Sequence, residues 1–164
     1  MGHSVATATP ARDTGRAMSQ ENVELVKRLL EPFEAADIAA IFRDEAGWAA
    51  GLPAAEAFYA PEFEASFVRA DVGRATYVGL DGLRAAWLDW LAPWVSYRTE
   101  IEDLIDAGEG RVVVLTRDYA RPEGVGAEVS FEGAPVWTVR DGKVARIEFY
   151  WDRADGLAAA GLEK

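Results

Sequence analysis

Between residues 19 and 42 the apolar positions recur at helical spacing. Val23, Val26, Leu30 and Phe33 form one stripe, Ser19 is a suitable N-cap, and Glu21 places a carboxylate in the first turn. Pro32 falls inside this pattern and predicts a kinked or shortened last turn. Asp37 is placed to cap a second helix carrying Ile38, Ile41 and Phe42. Gly47 to Pro53 reads as a loop, and Pro53 suits the start of a short third helix reaching about Tyr59, ended by Ala60-Pro61. From Glu62 the period becomes two: Phe63, Ala65 and Phe67 alternate with Glu64, Ser66 and Val68, as in a strand. A short stretch, Ala75–Val78, is placed to pair beside it. Asp81-Gly82 then opens a helix with Leu83, Trp87, Trp90, Leu91 and Trp94 on one broad face, and Pro93 marks its end.

The remainder alternates as strands: Val95–Ile105, Arg111–Arg121, Val125–Val139 and Lys143–Asp152. Turns fall at Gly108–Gly110, at Pro122-Glu123-Gly124 and at Asp141-Gly142, whose residues both tolerate positive φ. Three short connections predict an antiparallel meander. Ala154–Leu162 reads as a short closing helix. The expected architecture is α+β: a curved antiparallel sheet covered by N-terminal helices, in one domain over residues 19–164. Residues 1–18 read as a disordered leader or an expression remnant, with Met18 as a plausible older start.

Composition narrows the function classes. The 164 residues are 50% hydrophobic and 11% aromatic, enough for a sizeable core, and carry a net charge of −11. Nucleic acid binding rests on Lys and Arg neutralising phosphates, so a strongly acidic chain with no basic run argues against it. The charge likewise disfavours an anionic membrane surface, and no apolar run approaches the ~20 residues of a membrane span. The cytoplasm is the expected compartment. There is no Cys, and the one His, His3, lies in the leader. Disulfides, thiolate metal sites, a Cys nucleophile and a Ser-His-Asp triad are therefore excluded. No Walker A loop, dinucleotide fingerprint or EF-hand spacing occurs, so no cofactor and no metal are expected.

Three stretches together resemble a known family. They are Ser19-Gln20-Glu21-Asn22-Val23-Glu24-Leu25-Val26, then Pro135-Val136-Trp137-Thr138-Val139-Arg140-Asp141-Gly142-Lys143-Val144, then Ile147-Glu148-Phe149-Tyr150-Trp151-Asp152-Arg153 followed by Ala158-Ala159-Ala160-Gly161-Leu162. Over about residues 19–162 the chain resembles the SnoaL-like branch of the nuclear transport factor 2-like (NTF2-like) superfamily. The resemblance implies a cone-shaped α+β fold and a homodimer paired through the sheet. It leaves activity open, because the superfamily includes polyketide cyclases, ketosteroid isomerases, dehydratases, epoxide hydrolases and non-catalytic binders.

Asp152 is the first candidate for chemistry. It ends the last strand in a segment similar to the Trp-Arg-Asp of limonene-epoxide hydrolases, where the matching Asp is the general base. Strand alternation also puts Glu148, Tyr150 and Asp152 on one face. If that face lines a pocket, paired carboxylates there raise one pKa and permit acid/base work without His. The alternative is that Asp152 caps the closing helix or pairs with Arg153.

Arg117 is the second candidate. It shares a strand face with Val113, Leu115 and Tyr119, which reads as the covered face. It would then pair with a carboxylate of the protein or of a ligand. The epoxide hydrolases carry Arg-x-Asp here, and Tyr119 departs from that pattern. Trp137 and Tyr150 read as pocket walls, joined by Phe67, Trp87 and Trp90 from the cover, or else all five are plain core.

The expected function is a cofactor-free isomerase, cyclase or hydrolase acting on a small apolar molecule. Asp152 would be the base, and Arg117 with Tyr119 or Tyr150 would assist. The alternatives are a non-catalytic binder and a structural homodimer whose tryptophans fill the pocket.

Overall fold

The first helix, α1 (Ala11–Leu30), tightens into a 3-10 turn over Glu31–Phe33, where Pro32 cannot continue the α-helical hydrogen bonding. The computed structural model describes residues 11–69, 73–124 and 126–162, with side chains described from Met18 onward. Helix α1 thus begins eight residues ahead of Ser19, so Ser19 is interior and not the cap. The first ten residues of the expected leader lie outside the described residues. Asp37 caps α2 (Ile38–Arg43) by accepting from the Ala39 amide at 3.1 Å. The same carboxylate oxygen accepts from the Tyr97 amide at 3.1 Å and ties the helix to the sheet.

The segment Gly47–Pro53, expected as a loop, is instead inside α3 (Glu45–Glu56). Asp44 supplies the start signal by accepting from the Gly47 amide at 3.0 Å. A cap of this kind stabilises a helix by ~1 kcal/mol, comparable to the penalty of one interior Gly. Strand β1 (Tyr59–Arg69) follows directly, so Ala60-Pro61 lies within it. Next come β2 (Gly73–Val78), α4 (Gly79–Leu91), β3 (Trp94–Gly108) and β4 (Arg111–Pro122). The expected strand Val125–Val139 is two, β5 (Val129–Gly133) and β6 (Val136–Arg140), broken at Ala134-Pro135. Strand β7 (Lys143–Tyr150) and α5 (Arg153–Ala159) complete the chain.

The strands form one sheet in the order β2-β1-β7-β6-β4-β3, with β5 also on β4. It is mixed and not wholly antiparallel, because β1 runs parallel to β7, pairing Ala65 with Ile147 and Phe67 with Phe149. A parallel partner needs a long connection, and the whole of β2 to β6 provides it. Register shifts within β1, β3 and β6 add the local bends that let the sheet curve.

Both faces of this sheet bury apolar side chains. On the inner face Phe63, Ala65, Phe67, Val112, Val114, Ile147 and Phe149 meet Val26, Ile38, Phe42, Leu83, Trp87 and Leu91 from the helices. On the outer face Val113, Val136 and Tyr150 pack with Ala134 and Ala160 under α5. Gly156 makes that second contact possible, since a Cβ there would collide with the Ala134 carbonyl oxygen and methyl.

Candidate functional site

The helices do not close over the inner face completely. A cavity of about 600 Å³ remains between α2, α3 and α4 above and β3, β4, β6 and β7 below. That volume is in the range of small-molecule sites. Its walls are largely apolar: Ile38, Phe42 and Trp48 on one side, Leu83 and Trp87 on another, and Val114, Trp137, Ile147 and Phe149 on the sheet. Helix α3 contributes Gly47, Trp48, Gly51, Leu52 and Ala55, and none of its residues is buried, so it lies as an outer wall of the cavity. The Trp48 ring is 5.4 Å from Phe42, and Phe42 stacks on Trp87 at 5.3 Å.

On the sheet side a polar cluster interrupts these walls. Thr99, Thr116 and Asp118 all line the cavity. Asp118 is 4% exposed. Its Oδ2 accepts from the Tyr97 hydroxyl at 2.5 Å, and its Oδ1 accepts from the Thr99 hydroxyl at 2.6 Å. These partners come from β3, on which Thr99 sits directly opposite Asp118 and Tyr97 one inward position further along. Burial pushes the Asp118 carboxyl above the ordinary carboxylate range, while the Thr99, Tyr97 and Thr116 hydroxyls and the charge of Arg153 pull it partly back. Tyr97 is driven well above the ordinary phenol value by burial and then by the neighbouring Asp118 charge, so it remains a donor. A carboxyl with a raised pKa, beside two hydroxyls and facing an apolar cavity, is suited to taking up and returning a proton.

The polar residues expected to carry chemistry lie elsewhere. Arg117 and Tyr119 are on the outer face, because β4 turns Val112, Val114, Thr116, Asp118 and Ala120 inward. Arg117 reaches Glu102 at 3.2 Å and also pairs with Glu132. Tyr119 lies under the Arg98 guanidinium at 4.0 Å and bonds Glu100 at 3.3 Å. Glu148 and Tyr150 face outward too. Arg74 pairs with Glu148 at 2.8 Å and contacts the Tyr150 hydroxyl at 3.4 Å. Asp152 caps α5, accepting from Ala154 at 3.0 Å and Asp155 at 3.3 Å. The capping alternative therefore describes Asp152, and no carboxylate pair forms with Glu148 in the cavity.

Among the aromatic candidates, Trp137 and Trp87 line the cavity. Phe67 stands one layer behind, against Phe149 at 4.7 Å and Trp87 at 5.5 Å. Trp90 stacks on Trp151 at 4.2 Å and reaches the cavity only through it. Asp118 was the residue that alternation missed. A usable signal was the charge ladder: Glu100 pairs opposite Arg117 and Arg98 opposite Tyr119 across β3 and β4, an arrangement suited to solvent. Outward Arg117 forces Asp118 inward.

Among the described residues no helix is long and apolar enough to cross a membrane, and no group of three acidic, His or Cys side chains is placed to hold a metal.

The family model for the SnoaL-like domain matches residues 26–147. No curated protein sequence matches significantly. Among solved structures, TerC co-crystallised with polyporic acid is 22% identical, with 87% of this chain and 97% of that one covered and a TM-score of 0.54. A protein from Jannaschia sp. CCS1 described as a SnoaL-like polyketide cyclase is 17% identical over 87% and 91%, with a TM-score of 0.57. An NTF2-like protein of unknown function from Burkholderia pseudomallei K96243 is 20% identical over 84% and 95%, with a TM-score of 0.53. At these identities the likeness shows a shared NTF2-like fold and carries no ligand with it.

Proposed function

Since this chain belongs to the SnoaL-like domain family, we propose that it binds a small apolar molecule in the inner cavity and transfers a proton on it without a cofactor, with Asp118 as the acid/base group. The observation that carries the reading is the buried Asp118, hydrogen-bonded to Tyr97 and Thr99 at the wall of the cavity. Each carboxylate oxygen accepts one hydroxyl hydrogen and keeps a lone pair for substrate. The aromatic walls favour a flat or polycyclic ligand, and TerC, a structure of the same fold, was crystallised with polyporic acid. Isomerisation, cyclisation and hydration all require a group of this kind. A cavity of about 600 Å³ beside Trp137 weighs against a pocket packed shut by tryptophans.

One feature favours non-catalytic binding as the second reading. Both Asp118 oxygens are already engaged by hydroxyls, and the other carboxylate that lines the cavity, Asp44, caps α3. The test is a turnover assay with apolar ketones, epoxides, steroids and aromatic acids that stabilise the protein thermally. Asp118→Asn is expected to keep binding and to lose turnover by roughly 10²–10⁴-fold, the usual weight of a general acid/base. Bound ligands with no turnover in wild type or variant would select the binding protein instead.

For assembly we propose a homodimer through the outer sheet face, where Ile105 and Leu115 stay partly exposed beside the buried Val113 and Val136. A monomer in sedimentation at micromolar concentration would remove that proposal.

A further inference from the structure

Most residues around the cavity are buried or half-buried, but Arg28, Pro32, Asp44, Gly47 and Gly51 are exposed. They come from two places: the last turn of α1 with the 3-10 turn after it, and the start of α3 with its cap. The cavity therefore opens to water between those two segments. Gly47 and Gly51 stand about one turn apart on α3 and leave that side of the opening without side chains.

Arg28 is the basic residue of this rim, and among the described residues no other basic side chain borders the cavity. Its guanidinium makes no ion pair and no hydrogen bond with the described residues, although Glu24 lies one turn before it and Glu31 one turn after. By contrast Arg74, Arg98, Arg117, Arg146 and Arg153 each reach a carboxylate. Lys27 and Arg28 both suit the carbonyl end of α1, but Lys27 does not border the cavity. The two carboxylates on the lining are already matched. Asp44 accepts from the Gly47 amide at 3.0 Å, where the positive end of α3 offsets its charge. Asp118 is held by the Tyr97 and Thr99 hydroxyls. The charge left unmatched at the cavity is thus positive, in a chain whose net charge is −11.

A free guanidinium has a definite complement. Its planar fork of N–H donors fits a carboxylate through two parallel hydrogen bonds. An acid with an apolar body can bury that body among Phe42, Trp87 and Trp137 and leave its charge at the water boundary, which avoids the cost of desolvating an ion. We propose that Arg28 is a ligand-anchoring residue at the mouth of the cavity, donating to a carboxylate at the outer end of a molecule whose apolar body lies inside. The ligand class is then an apolar or aromatic acid and not its neutral counterpart. This rests on the reading of the cavity as a ligand site.

The test uses the full chain and two probes, 1-pyrenebutyrate and 1-pyrenebutanol, which share one flat aromatic body and differ in the charge of the head. Energy transfer from tryptophan to pyrene reports binding to wild type, Arg28→Gln, Arg28→Lys and Arg140→Gln. Arg140 is exposed, also lacks a partner among the described residues, and does not border the cavity, so its variant makes the same change in net charge elsewhere. Wild type is expected to prefer the butyrate. Arg28→Gln should weaken the butyrate roughly three- to tenfold, between the weight of an exposed ion pair and that of a charged hydrogen bond. It should leave the butanol within about twofold. Arg28→Lys should keep part of the preference, and Arg140→Gln all of it. Unchanged butyrate affinity in Arg28→Gln overturns the anchoring role. So does an equal loss for both probes, which signals altered packing, and so does an equal loss in Arg140→Gln, which signals net charge alone. In each of these outcomes wild type still binds the butanol, so the cavity reading stands. Failure of wild type to bind either probe overturns the anchoring role and the cavity reading together.

Discussion

Thr99 stands directly opposite Asp118 in the β3–β4 ladder, and its hydroxyl donates to the carboxylate over 2.6 Å. This bond favours the charged form against the burial that opposes it. Thr99→Val preserves the side-chain outline and deletes the donor. The Asp118 pKa is then expected to climb further above the carboxylate range. Carbon-13 NMR of the Asp118 carboxyl across a pH series measures it, and an unmoved midpoint would show that Thr99 does not donate in solution.

The raised pKa of Asp118 has a consequence for stability. A carboxyl that binds its proton more tightly when folded stabilises the protein fully below its unfolded value of about 3.9. That contribution is lost as pH rises from there through the folded value, and is flat above it. Glu102 acts in the opposite sense, since the hydrogen bonds of Arg153 and then Arg117 hold its pKa down. The difference between wild type and Asp118→Asn isolates the Asp118 share. Relative to the variant, wild type should lose stability between mildly acidic and neutral pH in urea denaturation. Parallel pH curves for the two proteins would contradict this.

Asp152 is a helix cap in this structure, which separates it experimentally from a catalytic base. Asp152→Ala removes the acceptor for the Ala154 and Asp155 amides and should cost ~1 kcal/mol, while Asp152→Asn, an equally good cap, should cost little. Both variants should bind cavity ligands as wild type does. If Asp152→Asn abolished turnover on a substrate that Asp118→Asn still converts, the site assignment would move to Asp152.

The sequence carried the α4 face well, because Leu83, Trp87 and Leu91 recur at helical spacing and all three are buried against the sheet. It also carried the Pro32 disruption and the Asp37 cap, both of which depend on neighbours a few residues away. The helix over Glu45–Glu56 was hidden by its two glycines and Pro53, which read locally as breakers; the Asp44 cap and its place over the cavity outweigh them. The break at Ala134-Pro135 was hidden in the opposite way, since the apolar run continues across it.

Which residues form the site was decided elsewhere. Along β4, Val112, Val113, Val114 and Leu115 are apolar on both parities, because helices cover one face and α5 covers part of the other. In such a strand, alternation alone cannot tell in from out, and an error of one residue exchanges every side chain between faces. It exchanged Asp118 for Arg117 and Tyr119 on β4, and Phe149 and Trp151 for Glu148, Tyr150 and Asp152 at β7. By itself the sequence determined the order of most elements and the chemistry on offer: carboxyls, phenols and indoles, without Cys and with one His, His3. Tertiary structure alone decided which carboxyl was taken out of water. That depends on long-range register, the parallel pairing of β1 with β7 and the placement of α5, each fixed by contacts between residues far apart in the chain.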